Sequence, residues 1–288
     1  MKDYEESGEI CKKAREFGVT LLKEGAKFID IAEKIESKIR ELGGEPAFPV
    51  DIGINHLAAH DSPRFNDDRM LEEGDVVKLD LGVHINGAVS DTAVTVEIGS
   101  SKYKELIESA EEALKKAIEI VKPGVEVRAI GKVIQETIQS YGFSPIINLS
   151  GHGVELYEVH TSPTIPNYDN GDATKLENGQ AIAIEPFATD GSGKVIEGKM
   201  AGIYQLVNAK NVRDSNARTI LEFIAEKYKT LPFSERWIIK EFGIRAKFGL
   251  LSLEREGVIK QYTILPEKER GQVAQAERTV IVGKGVIN

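Results

Sequence analysis

The sequence predicts an α+β protein in which two similar halves share one mainly antiparallel sheet, with helices on the outside. Three observations lead there. The chain repeats itself at an offset of about a hundred residues. Each copy brings helical periodicity first and strand periodicity after. A further stretch, residues 204–270, has no counterpart in the first half and is rich in helical signals. The expected organisation is therefore a main domain over 1–203 and 271–288, interrupted by a helical insertion over 204–270.

In chain order, "KEGAKFIDIAEKIESKIRELGGEP" at 23–46 and "KPGVEVRAIGKVIQETIQSYGFSP" at 122–145 share lysine, glycine, an apolar 3–4 spacing, glycine and proline. Both predict a helix that stops at a glycine. "HDSP" at 60–63 returns as "HTSP" at 160–163, and "LEEGDVVKLD" at 71–80 returns as "LENGQAIAIE" at 176–185. The repeat thus places Glu185 where Asp80 stands, and His160 where His60 stands. "KLDLGVHINGAVSDTAVTV" at 78–96 predicts a hairpin, because Asn86-Gly87 tolerates positive φ at both turn residues. A two-residue turn there sets Ile85 against Ala88, Gly82 against Asp91 and Asp80 against Ala93. Asp80 and Asp91 then become diagonal neighbours on one face. Residues 101–121 predict a long helix stopped by Pro123-Gly124. Within the insertion, "SNARTILEFIAEKYKTL", "SERWIIKEFG" and "KFGLLSLEREG" predict helices and "QYTIL" a short strand. The closing "GQVAQAERTVIVGKGVIN" alternates around Val273, Gln275 and Glu277 and returns to the sheet.

Composition narrows the function classes. Net charge is -9 over 288 residues, and no Lys/Arg-rich tract stands out, which argues against broad nucleic-acid binding. Cys11 is the single cysteine, so neither an internal disulfide nor a Cys-rich zinc site can form. The start "MKDYEESGEICKKAREFG" lacks the apolar core of a signal peptide, and no apolar run reaches membrane-spanning length. The expectation is a soluble, cytoplasmic protein without a membrane partner. No heptad or sticky edge calls for an oligomer, so a monomer is expected.

Taken singly, the polar residues of the strands stay ambiguous. Two aspartates in one hairpin fit either a metal site or a wet face. His152, between two glycines in "NLSGHGVELYEVH", fits a ligand approaching an open backbone or a structural role. Glu185 ends the apolar "AIAIEP" and Glu277 sits in "VAQAERTVIV"; a charge there is costly unless paired or coordinated, and an arginine partner would satisfy Glu277 equally well. Together, Asp80, Asp91, His152, Glu185 and Glu277 make four carboxylates and one imidazole. That set suits a pair of divalent ions bridged by carboxylates better than a tetrahedral zinc site.

With these motifs in hand, the sequence resembles the type 2 methionine aminopeptidases of archaeal kind over nearly its whole length. The resemblance implies the pita-bread fold, a pseudo-two-fold repeat around a curved sheet. It also implies a dinuclear exopeptidase that removes N-terminal methionine ahead of a small second residue. It carries metal ligation onto Asp80 and Asp91 in the hairpin, His152 in "LSGHGVELYEVH", Glu185 in "AIEPFAT" and Glu277 in "QAERT". It makes His160 and His60, the latter in "NHLAAHDSP", substrate contacts with catalytic roles, and Glu185 a proton carrier. The cofactors implied are two divalent ions, manganese, iron or cobalt, and the partners are nascent polypeptide N-termini, at the ribosome. "LPFSERW" at 231–237 is typical of type 2. Alternatives within reach of the same motifs are an Xaa-Pro aminopeptidase or prolidase, and a non-catalytic relative that binds RNA or protein.

Phe48, residues 187–189 and Ala276 are the expected lining of a methionine pocket, although strand alternation argues that Ala276 turns away from the metals. The family commonly has Gln-Phe-Glu-His-Thr at the last ligand, so Ala276 and Arg278 depart from it. Arg278 shares the away-facing side and is expected to meet an acidic surface partner. Asp61 and Asp190 are expected to add acid at the mouth of the site.

Overall fold

The computed structural model describes residues 1–288. The first half contains α1 (Lys2–Leu21), α2 (Phe28–Glu41), β1 (Glu45–Pro46), β2 (Asp51–Ile54), β3 (Leu57–Ala59), β4 (Val76–Ile85) and β5 (Ala88–Glu97). The second contains α3 (Lys104–Glu119), α4 (Val127–Ser140), β6 (Ser144–Pro145), β7 (Ser150–Glu155), β8 (Glu158–Pro166), β9 (Ala181–Ile184), β10 (Phe187–Thr189) and β11 (Met200–Leu206). Then come α5 (Ser215–Lys227), β12 (Phe233–Ser234), α6 (Glu235–Phe242), α7 (Ala246–Arg255) and β13 (Ile259–Thr263), followed by β14 (Leu265–Pro266), β15 (Val273–Gln275), β16 (Glu277–Ile281) and β17 (Gly285–Val286).

The repeat is visible in matching parts. Helices α2 and α4 are both 14 residues long. Each is followed by a glycine in the left-handed region, Gly43 and Gly142, where a side chain would be strained. Each is also preceded by a residue bridged to the strand approach that follows, Lys27 to Met70 and Glu126 to Lys175.

The main sheet runs β1-β4-β5-β16-β9-β7-β8, with β2 also on β4 and β17 also on β16, and all its pairings are antiparallel. Residue alternation gives the sheet two unlike faces. On β4, Val77, Leu79, Leu81 and Val83 join α1 and α2 in one core. On β16, Val280 joins α3 and α4 in a second core. A third core surrounds α5, α6 and α7 on the small sheet β12-β11-β13. No helix is long and apolar enough to cross a membrane.

The hairpin register is the one that the Asn86-Gly87 turn requires. Both turn residues have positive φ, and Ile85 pairs with Ala88, Gly82 with Asp91 and Asp80 with Ala93.

The two halves meet where β5 pairs with β16, over only two residue pairs, Glu277 with Ala93 and Arg278 with Thr92. Side chains extend this short seam. The Thr95 hydroxyl donates to the Gln275 carbonyl and accepts from the Gln275 N–H. The Thr279 hydroxyl does the same for Asp91. Thr92 donates to the Glu277 carbonyl. Arg278 Nη1 reaches that carbonyl at 2.6 Å and the Ala93 carbonyl at 3.1 Å.

Candidate metal centre

Five consecutive strands of the sheet each deliver one polar side chain to the face away from the helices. Asp80 comes from β4, Asp91 from β5, Glu277 from β16, Glu185 from the residue after β9 and His152 from β7. Register explains the meeting. Asp80 faces Ala93, and Ala93 faces Glu277, so these positions form one row across three strands. His152 faces Ala183, which faces Thr279, and this places the imidazole in the next row.

Ligand atoms of Asp91, His152 and Glu277 lie within 4.8 Å of one another, as do those of Asp80, Glu185 and Glu277. Glu277 belongs to both groups, the arrangement a bridging carboxylate needs. His152 Nδ1 lies 3.1 Å from the Gly153 carbonyl. A carbonyl only accepts, so the proton of a neutral ring sits on Nδ1 and the Nε2 lone pair is free. Nε2 stands 3.8 Å from Asp91 Oδ2.

The electrostatics are those of acids without a counter-charge. Asp80 Oδ1, Asp91 Oδ1 and both carboxylate oxygens of Glu277 are buried without a hydrogen-bond partner. No lysine or arginine lines the cavity above them. Burial pushes the Asp80 carboxyl up to about 7. Burial and then mutual repulsion raise Asp91, Glu185 and Glu277 well above the usual carboxylate range. Burial pushes His152 down to about 4, so it is neutral and able to ligate. An oxygen-rich, imidazole-bearing, anionic cluster with orphaned lone pairs fits divalent cations. The alternative of an arginine partner for Glu277 does not hold: Arg278 Nη1 takes the backbone carbonyl and leaves the carboxylate untouched.

Above the cluster is a cavity of about 300 Å³. Its apolar wall is made by Phe48, Phe187, Ile203, Pro232, Tyr262 and Leu265. Residues 204–270 therefore contribute Pro232, Tyr262 and Leu265. His60 and His160 line the same cavity. The His60 ring packs edge-on to Tyr262 with centroids 5.1 Å apart, and His160 packs on His152 at 4.4 Å. His56 and His84 lie outside it.

Several expectations are corrected. Of residues 187–189 only Phe187 reaches the cavity; Ala188 faces the helix-side core and Thr189 is buried elsewhere. Ala276 does not line the cavity either. Alternation turns it into the core beneath α3, where it edges a separate groove with Leu114 and Ile118. Arg278 is on that side too; its hydrogen bonds go to the Thr92 hydroxyl and two backbone carbonyls, and Glu111 is the acid across the same groove, near enough to interact electrostatically without forming a salt bridge. Asp61 is not at the mouth: it is 1% exposed and paired with both terminal nitrogens of Arg69. Asp190 accepts the Gln272 N–H on the surface, outside the cavity. The glycines flanking His152 admit neighbouring strands, since a Cβ on Gly151 would lie 2.3 Å from the Ala183 carbonyl and one on Gly153 2.2 Å from that of Ser162. The gap left by Gly82 beside Asp91 is filled by the Phe48 ring.

Two polar residues join the site that motif reasoning passed over. Gln275 Nε2 donates to Asp80 Oδ2 at 2.9 Å and to Glu185 Oε1 at 2.8 Å, holding the paired acids of the two halves together. Its alternation with Glu277 on the closing strand was the available signal. Asp51, on β2, lines the cavity opposite Asp80, and no motif marks it.

Comparison with known proteins agrees with the geometry. The model of metallopeptidase family M24 matches residues 2–245. A methionine aminopeptidase of Pyrococcus horikoshii is 48% identical over 281 residues, covering 97% of this chain and 95% of that protein. Two solved structures share the fold. One is a thermophilic Arx1, with TM-score 0.83, 20% identity, and 99% and 89% of the two chains covered. The other is a methionine aminopeptidase from Thermotoga maritima, with TM-score 0.72, 22% identity, and 99% and 95% covered. The sheet with its outer helices is the pita-bread fold. Its five convergent polar side chains and the near full-length match lead to one conclusion: the chain belongs to metallopeptidase family M24, and within it to the methionine aminopeptidases of archaeal type.

Proposed function

We propose that this protein removes methionine from the N-termini of nascent proteins and peptides, ahead of a small second residue, in the cytoplasm and at the ribosome. One observation carries the reading. Asp80, Asp91, Glu185 and a neutral His152 line one end of a cavity whose wall is apolar, and Glu277 joins them beneath it, with orphaned oxygens among the acids. A single thioether side chain suits such a wall.

Asp80, Asp91 and Glu277 would hold one divalent ion, and Asp91, His152, Glu185 and Glu277 a second, of manganese, iron or cobalt. Such a pair supplies an activated water and a Lewis acid for the scissile carbonyl. The chain's own residues do the rest. Glu185 carries a proton from the water to the leaving amine. Gln275 steadies Glu185 and Asp80. His160 donates to the carbonyl oxygen as charge develops there. His60 contacts the scissile amide nitrogen. Its Nδ1 is engaged by the Thr263 carbonyl at 3.1 Å, which leaves Nε2 to face the substrate. The segment 204–270 acts as an insertion that closes the methionine pocket through Pro232 and Tyr262.

The test is a metal-free preparation assayed on Met-Ala-Ser and on Xaa-Pro peptides, with each ion added back singly. Turnover of Met-Ala-Ser alone is expected. Preference for Xaa-Pro peptides would favour a prolidase-like enzyme, and no turnover with any ion would favour a binding protein. Role assignments are separated by variants. His160→Ala should keep its metal and lose about 10²-fold or more in kcat, while His152→Ala should lose metal at one position by elemental analysis. Equal metal loss in both would refute the assignment.

A further inference from the structure

Asp91 stands at a fork in the sheet. Strand β5 pairs with β16 at Ala93–Glu277 and at Thr92–Arg278. The next pair in register would be Asp91 with Thr279, and here the strands part. Beyond the fork, β17 takes over the free edge of β16, pairing Val286 with Val280 and Gly285 with Ile281. The other acid of the hairpin has no such gap beside it: Asp80 is paired on both sides, with Asp51 on β2 and Ala93 on β5.

The side chain of Asn288 fills the apex of the fork. Its Oδ1 accepts the Thr279 N–H at 3.0 Å. Its Nδ2 donates to the Asp91 carbonyl at 2.5 Å and to the Ser90 hydroxyl at 2.8 Å. An N–H only donates and a carbonyl only accepts, so these partners fix which way the carboxamide points. One acceptor toward β16 and one donor toward β5 are what a peptide group of a paired strand would offer. The Ile287 N–H bonds the Thr279 carbonyl at 3.1 Å, and Gly8 of α1 makes room, since a Cβ there would collide with the Ile287 carbonyl. Asn288 is 7% exposed.

We propose that Asn288 is a positioning residue for the metal centre, its carboxamide standing in for the missing rung and holding the Asp91 backbone where the carboxylate reaches both ions. This rests on the reading of Asp91 as a shared ligand and deepens it. An aspartate carboxylate is one methylene from its Cα, so its oxygens follow any shift of the backbone. Metal–ligand distances hold to within about 0.2 Å, and the groups that orient ligands are worth about 10- to 100-fold in metal affinity. The Thr279 hydroxyl already ties Asp91 to β16. Asn288 adds a second tie and joins the β17 segment to it, which closes the fork.

The test titrates manganese into metal-free wild type, Asn288→Leu, Asn288→Ser and, as a control, Ser90→Ala. Leucine keeps the bulk and removes both polar contacts, and serine is the milder change should leucine prevent folding. Ser90→Ala takes one hydrogen bond from the Asn288 amide and leaves the bond to Asp91. Affinity and stoichiometry are read by calorimetry, coupling between the two ions by electron paramagnetic resonance, and the fold by melts of metal-free protein. The Asn288 variants should bind manganese about 10- to 100-fold more weakly, with altered coupling, and excess manganese should restore turnover of Met-Ala-Ser. Ser90→Ala should melt lower and keep the wild-type affinity. Folded Asn288 variants with wild-type affinity and coupling would overturn the proposal, whatever their melting temperature. Equal weakening in Ser90→Ala, or failure of both Asn288 variants to fold, would overturn it in favour of a purely structural role. A wild type that takes up no manganese would bring down the metal-centre reading itself, an outcome distinct from any of these.

Discussion

Two buried clusters of charge in this molecule are built in opposite ways. Between α2 and α6, Glu36 is 3% exposed and fully answered. Arg236 binds both of its oxygens, at 2.8 and 2.7 Å, and Trp237 Nε1 adds a third bond at 2.9 Å. The remaining edge of Arg236 donates to the Pro63 carbonyl. At the sheet centre, four acids share a single neutral donor, Gln275, and keep orphaned oxygens. The same chain that recruited Arg236 from 200 residues away to neutralise Glu36 brought no cation to Asp80, Asp91, Glu185 or Glu277. A fold that can satisfy buried acids and leaves four of them unsatisfied side by side has kept the space for a ligand. The first cluster holds α6 to α2, and the second is set up for chemistry.

Removing bound metal should produce the largest contrast. Chelation is expected to abolish turnover and lower the melting temperature, because ions bound only by the folded state stabilise it and their loss exposes the carboxylates to one another. Calorimetry and peptide assays with and without chelator check this. Unchanged values of both would break the contrast.

Next come substitutions of one acid in each cluster. Glu36→Ala strands a buried guanidinium and should cost about 3–5 kcal/mol in denaturant melts. In metal-free protein, Glu277→Gln replaces a carboxyl whose ionised form burial and its neighbours disfavour, and should leave stability equal or higher, while metal binding is lost. Similar destabilisation by both would erase the distinction.

The contrast sharpens further with pH. Asp80 titrates near 7 in the metal-free fold and near 3.8 as an unperturbed group, and its neighbours shift the same way. Between those values the folded state holds more protons than the unfolded one, so stability falls as pH rises. The acids should therefore make metal-free protein melt higher at pH 5 than at pH 7.5, opposed in part by His152, which burial holds near 4 and keeps neutral where an unfolded imidazole takes up a proton. Metal binding, which needs ionised ligands, should reverse that order. Paired melts at the two pH values decide it.

The smallest effect is expected on the far side of Glu277. Ala276 is 3% exposed, but a groove opens beside it. Ala276→Phe has room there and should cost only about 1 kcal/mol. Methionine preference should be unchanged on a peptide panel that varies the first residue.

Much of this arrangement was legible in the sequence where a local rule controlled it. The Asn86-Gly87 turn set the register of Asp80 and Asp91, and the repeat matched Asp80 with Glu185. The residues that escaped are those whose surroundings come from far along the chain. Asp51 acquires its meaning only when β2 lies on β4, and Gln275 only when β15 approaches the ends of β4 and β9. Asp61 follows a site histidine directly, yet the left-handed backbone at His60 turns it away toward Arg69. The stretch 187–189 was expected to line the cavity as a unit, and a strand cannot present three successive side chains to one side.

The seam between the halves has a consequence for how the molecule comes into being. Strand β16 lies between β5 and β9, yet it is made after both, and the Thr92–Glu277 bond spans 185 residues. Until β16 arrives, β5 and β9 each present an unpaired edge, which is open to wrong partners. Closing such a distant pairing is slow compared with forming the hairpin or the helix pairs. Assembly should therefore proceed as two preformed halves that wait for a central strand to lock them, and Glu277, carried on that strand, enters the site last. Catalytic competence would then mark completed folding, and an early-stopped chain would hold Asp80 and Asp91 in place without any capacity to act.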